Sequence, residues 1–494
     1  MIKKAFWGFK WTFIQQFFSQ LINLGSLVYL SHLIEPDIHG FFAIAIIGVT
    51  LTSILGSIGL NELIIKDQSE NFKAKSEYYF GIIILLSILF IIITSILGLI
   101  ISYSYSTTFE FGLLLKYSLI LGLIAPMTPF RSYLEAVKSK NLDFKKLSFV
   151  QITTILMGVI PSIFLAKLGF AYEALASRYI LPHLFYIVFG YTYFKVPLKA
   201  KFSKSHIKTL KNFSLYYSLN NIVNYFVRNL DYMIIGKFFS PAILGQYVIA
   251  YKILLFPLKN ITSKVVQVGM PLLTRIFDNK KEFKDKYFLM IESITFVTIP
   301  IMFFISLKGK TISSILFSKD YPLLGDMIVY LAIVGAIQSV ISPVGMLFYF
   351  KEQMKLMFKT SLLSLILIFL SFYLSSLYYD IFLVLKVYAI IYVLLIFPNS
   401  ILWIYKKYNF KINDFYKSVI YYTLSVLISL LIEKNISTLF SFDSQIITII
   451  ISFTIFSFLY LSILLIFYKV SDKPKFFKIL IDKFSSYVWF RGSI

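Results

Sequence analysis

Long uncharged runs alternate with short segments that hold most of the charge along this chain. Residues 81–103 (GIIILLSILFIIITSILGLIISY) and 446–468 (IITIIISFTIFSFLYLSILLIFY) are each long enough to cross a bilayer core of ~30 Å. Extended to the whole chain, this pattern predicts an all-α polytopic membrane protein of about fourteen spans. They are placed at 9–31, 38–60, 79–103, 112–133, 148–168, 172–194, 212–236, 242–268, 287–307, 325–350, 357–379, 382–405, 416–432 and 445–468. No connecting segment is long enough for a separate domain.

A second pattern lies inside the first. The stretch Asn220–Pro257 (NNIVNYFVRNLDYMIIGKFFSPAILGQYVIAYKILLFP) has two helical runs meeting at the turn SPAILG. A shift of 205 residues lays that turn on EPDIHG, matching Pro36 with Pro241 and Gly40 with Gly245. At an offset of 214, Pro129 matches Pro343 and Phe144-Lys145 matches Phe358-Lys359. An internal repeat of this length predicts two structurally similar halves facing each other.

Charge sets the orientation. With both termini and the even-numbered loops on the cytoplasmic side, 35 of the 48 Lys and Arg residues fall there and six fall opposite. The bias predicts cytoplasmic termini. It also accounts for the net charge of +24 without nucleic acid, since the basic residues sit in short loops between spans. The tail adds an amphipathic element: Phe476, Phe477, Leu480, Ile481 and Phe484 share a face, with Lys475, Lys478 and Lys483 around it. A basic helix on the inner leaflet is expected, with a solvated tail as the alternative.

Polar groups inside spans carry the functional signal, because a lipid-facing helix should have none. Asn220, Asn224, Arg228 and Asp231 fall on one helical stripe roughly 80° wide. The repeat lays this seam on Gln15, Ser19, Asn23 and Ser26. In the following helix, Lys252 and Lys259 are seven residues apart and share a face. Arg178 and Lys386 sit early in the last span of each proposed half. The alternatives are an internal Arg228–Asp231 salt bridge and snorkelling of the lysines to headgroups. At the positions matching Arg228, Asp231, Lys252 and Lys259 the first half has Asn23, Ser26, Ile47 and Ile54, so the second half supplies the fixed cations, and a cavity lined by them favours an anion. Phosphate suits Arg, whose planar fork binds two oxygens.

Enzyme signatures are absent. The four histidines have no metal-binding spacing, and the sequence has no Walker loop, nucleophile elbow or cysteine. No metal or other cofactor is expected.

At Arg228-Asn-Leu-Asp231, IIGKFFSP, LGQY and Ala250-Tyr251, the chain resembles the polysaccharide-transporter branch of the multidrug/oligosaccharidyl-lipid/polysaccharide exporter superfamily, in particular Wzx-type flippases. The resemblance implies two six-helix lobes around a central cavity plus two C-terminal helices, here 1–200, 201–407 and 408–494. It implies a bacterial inner-membrane protein that moves an undecaprenyl-diphosphate-linked oligosaccharide to the outer leaflet for O-antigen, capsule or exopolysaccharide. It further implies a coupling cation, H+ or Na+, with Asp231 as the candidate carboxylate, and polysaccharide polymerase and chain-length machinery as partners.

Two other readings compete. A multidrug or small-molecule exporter of the same superfamily would favour acidic cavity groups for cationic drugs. A membrane glycan polymerase or ligase would need a large external loop for its acceptor.

Overall fold

A computed structural model describes residues 2–56, 64, 72–141, 143–194, 199–201, 222–437, 444–471 and 474–482. Among them the chain is helical with no strands, and it divides into two compact units, Met1–Val248 and Ile249–Ile494. Among the described residues, eleven helices are long and apolar enough to cross a membrane. Of the other three expected spans, two are the helices Ile2–Ser31 and Ala171–Phe194. The third, 212–236, begins outside the described residues.

The first unit holds α1 (Ile2–Ser31), α2 (Pro36–Ala45), α3 (Ile47–Gly56), α4 (Phe72–Ser104), α5 (Phe111–Gly122), α6 (Ile124–Lys140), α7 (Phe144–Lys167), α8 (Ala171–Phe194), α9 (residues 222–238) and the start of α10 (Pro241–Pro257). Helix α1 packs on α7, which pairs with α8. A core of Phe80, Ile83, Tyr133, Leu134, Val150 and Tyr186 joins α4, α6, α7 and α8.

Proline shapes both repeated turns. Pro36 and Pro241 each take the first position of their helix, where no partner is needed for a backbone N–H. Between α7 and α8 the chain reverses at Gly169, whose φ of +86° only glycine adopts without strain.

In the second unit, α10 runs into a π turn at Leu258–Thr262 and then α11 (Ser263–Arg275). Pro257 cannot donate to the carbonyl one turn earlier, and the hydrogen-bond register slips there. Next come α12 (Lys280–Leu316), α13 (Leu324–Ile341), α14 (Val344–Phe350), α15 (Met354–Ser376) and α16 (Ile381–Ile391). A second π turn, Tyr392–Ile396, leads into α17 (Phe397–Tyr408), with α18 (Ile412–Ser437) and α19 (Gln445–Ser471) following.

Helix α12 is the spine of this unit. It packs against α13, α18 and α19, and its 37 residues span about 55 Å, more than a bilayer requires. Asn279 caps its start, accepting from Glu282 N at 3.2 Å. The tail forms α20 (residues 475–482), which seats Phe477 against Phe296; Phe484 lies outside the described residues.

Candidate functional site

Helix α9 carries the polar stripe, and the structure turns its members in different directions. Asp231 is 5% exposed, and its Oδ2 accepts from the Tyr247 hydroxyl at 2.6 Å. Its Oδ1 accepts from Tyr232 N at 2.9 Å. Arg228 is exposed and has no carboxylate within ion-pair distance among the described residues. The salt bridge read from their spacing therefore does not form. Three residues turn a helix by 300°, so the two side chains diverge by about 60°, and the short Asp side chain is taken by Tyr247 on the next helix. Asn224 is half-buried on the same helix, and Asn220 lies outside the described residues.

On α1, Gln15 Nε2 donates to Ser19 Oγ at 3.0 Å, joining two positions of the matching seam. Asn23 is exposed, and its backbone carbonyl accepts from Arg178 Nη2 at 3.0 Å. Two residues singled out separately are thus brought together, tying α8 to α1.

In the second unit, Lys252 is half-buried on α10 and Lys259 is exposed within the π turn. The Ser263 hydroxyl bonds back to the Lys259 carbonyl, and Asn260 Nδ2 donates to Phe256 O at 2.7 Å. These bonds satisfy backbone groups that the π turn displaces. Lys386 is exposed on α16, its ammonium 5.9 Å from the Tyr330 ring centre.

Sequence reasoning missed two tyrosines. Tyr247 holds Asp231, and the Tyr225 hydroxyl donates to the Ile47 carbonyl at 2.7 Å, where α3 begins. Both sit in spans rich in aromatic residues, so composition offered no signal. The two π turns had a signal in the adjoining Pro257 and Pro398.

The two repeated turns meet. A Cβ on Gly40 would overlap the Pro241 carbonyl oxygen and lie 2.9 Å from Gly245 N. A Cβ on Gly245 would overlap the Pro36 carbonyl oxygen and lie 3.0 Å from Gly40 N. Helices α2 and α10 touch backbone to backbone, and only glycine permits it.

Known proteins share this architecture. A family model described as polysaccharide biosynthesis protein matches residues 29–325, more than half of the chain. An uncharacterized membrane protein in the cps region of Klebsiella pneumoniae is 22% identical over 75% of this chain and 76% of its own length. The lipopolysaccharide biosynthesis protein WzxC of Escherichia coli is 18% identical, covering 72% of each. The fold is similar to that of the lipid II flippase MurJ in an inward closed conformation, with a TM-score of 0.74, 16% identity, and coverage of 93% of this chain and 99% of that one. The chain belongs to the polysaccharide biosynthesis protein family.

Proposed function

We propose that this protein flips an undecaprenyl-diphosphate-linked oligosaccharide from the inner to the outer leaflet of a bacterial cytoplasmic membrane, for assembly of a surface polysaccharide. The observation that carries the reading is Arg228, an exposed guanidinium on an expected membrane span, without a carboxylate partner among the described residues. A cation at that depth persists only where it meets water or an anion. The diphosphate supplies the anion, while the polyprenyl tail stays in lipid.

Lys252 and Lys259 meet the same charge as it moves, and Arg178 and Lys386 provide further cations. Asn220, Asn224, Gln15 and Asn23 are assigned to sugar hydroxyls. The lobes expected at 1–200 and 201–407 alternate in opening to the two sides, with 408–494 as an attached element and both termini cytoplasmic. Relatives with names in lipopolysaccharide and teichuronic acid biosynthesis support the substrate class, as does the fold shared with a lipid II flippase. The excess of cations over acids in the spans weighs against export of cationic drugs.

Asp231 is the proposed coupling carboxylate. A hydroxyl and an amide hold it rather than an ion pair, so binding H+ or Na+ does not require breaking a salt bridge. Polysaccharide polymerase and chain-length machinery are the proposed partners.

The test is Arg228→Ala in the native host. Surface glycan should disappear while the protein stays at normal abundance in the membrane, because the guanidinium forms no ion pair among the described residues. Collapse of abundance would make Arg228 a structural residue and remove the support.

A further inference from the structure

The second unit contains a charged cleft lined by Lys284, Asp285, Glu292, Asp414, Lys417 and Lys475. It encloses about 180 Å3 between the start of α12, the start of α18 and the chain entering α20. Three of its six charged side chains are engaged within the fold. Lys284 Nζ lies 2.7 Å from Asp414 Oδ2. Glu292, 6% exposed, accepts from Phe476 N at 2.9 Å and from the Tyr422 hydroxyl at 3.3 Å, which pins α20 to α12.

Three groups remain on the rim. Lys475 and Asp285 stand 3.8 Å apart, the longest ion pair among the described residues, and both side chains are more than half exposed. Lys417 is exposed and forms no ion pair among the described residues. Two ammonium groups therefore face the cleft, one in a long ion pair and one in no ion pair among the described residues.

The level of the cleft identifies its ligand. Tyr416 and Ile420, on the first turns of α18, are each 46% exposed, so apolar surface begins beside the cleft. On α20, Ile479 and Leu480 are 38% and 37% exposed, as expected of a helix lying at the boundary of headgroups and acyl chains. Phosphates sit at that depth, and lysines near a charged leaflet contribute about 1 kcal/mol each.

We propose that this cleft binds the phosphate of a phospholipid headgroup, with Lys417 and Lys475 as its ligands and Asp285 holding Lys475 when the cleft is empty. The proposal takes this side to be cytoplasmic, from the charge bias, and is independent of the glycan-transport reading.

Native mass spectrometry of the full chain in mild detergent tests it, using phosphatidylglycerol, phosphatidylethanolamine, a polyprenyl phosphate and inorganic phosphate as probes. Lys417→Gln/Lys475→Gln should weaken binding of one phospholipid by about tenfold or more. Lys406→Gln/Lys407→Gln, which alters two exposed cations outside the cleft, should leave it unchanged. If the double variant cannot be recovered, Lys417→Gln alone should still weaken binding by about fivefold. Equal loss in the control pair would mean diffuse surface attraction and overturn the site. Binding of polyprenyl phosphate but of neither phospholipid, or displacement of lipid by millimolar inorganic phosphate, would overturn the ligand.

Discussion

Gly40 and Gly245 lie against each other with their surroundings exchanged: Gly40 abuts the carbonyl of Pro241, and Gly245 abuts the carbonyl of Pro36. Residues equivalent by the 205-residue repeat thus make equivalent contacts on one another. Local two-fold symmetry follows, and any side chain at either position drives two backbones apart.

Alanine at either glycine should be costly. Gly40→Ala and Gly245→Ala each place a methyl on a carbonyl that cannot rotate away, with a loss of about 3 kcal/mol or more. The double variant should cost less than the sum, because the first methyl already separates the helices. Gly25→Ala, where a Cβ meets nothing within 4 Å, is the control and should be silent or slightly stabilising. Thermal unfolding in detergent reads all four, and neutral alanines at 40 and 245 would refute the close approach.

Asp231 and Tyr247 should behave as a pair. Tyr247→Phe leaves a buried carboxylate oxygen unsatisfied at a cost of about 1–3 kcal/mol. Asp231→Leu in that background should recover part of the loss, because both polar groups are then gone. Asp231→Asn tests the coupling role separately: transport should lose its dependence on a proton or sodium gradient. An unchanged gradient dependence would take Asp231 out of the coupling step.

A buried ion pair in the second unit gives a third prediction. Lys308 Nζ lies 3.0 Å from Glu433 Oε1, and the Glu433 side chain is fully enclosed, with no hydrogen bond besides this pair among the described residues. Lys308→Met should destabilise by about 3–5 kcal/mol through the charge left behind. Lys308→Met/Glu433→Leu should restore most of that, as judged by the same unfolding measurement.

The sequence announced some of this and hid the rest for identifiable reasons. Apolar runs such as 81–103 revealed helices because lipid imposes one requirement over some twenty residues. The turns at Pro36 and Pro241 were visible because proline and glycine have few alternative uses. Their mutual contact was hidden, since a repeat establishes equivalence and says nothing of proximity. At the candidate site, spacing put Arg228 and Asp231 on one stripe. That Asp231 turns away from Arg228 depends on how α9 and α10 cross, which brings Tyr247 to Asp231. The link from Arg178 to the Asn23 carbonyl was equally hidden, because every residue offers a carbonyl. Helix Ala171–Phe194 falls outside the apolar set because Glu173, Arg178 and His183 interrupt it.

Reconstitution tests the central claim most directly. The protein in proteoliposomes, supplied with an undecaprenyl-diphosphate oligosaccharide on one leaflet, should move it to the other at a rate well above that of protein-free vesicles. Arg228→Ala, folded and inserted to the same extent, should fall to the protein-free rate. Translocation by the variant at the unaltered protein's rate, or none by the unaltered protein, would contradict a cation-assisted passage of the diphosphate.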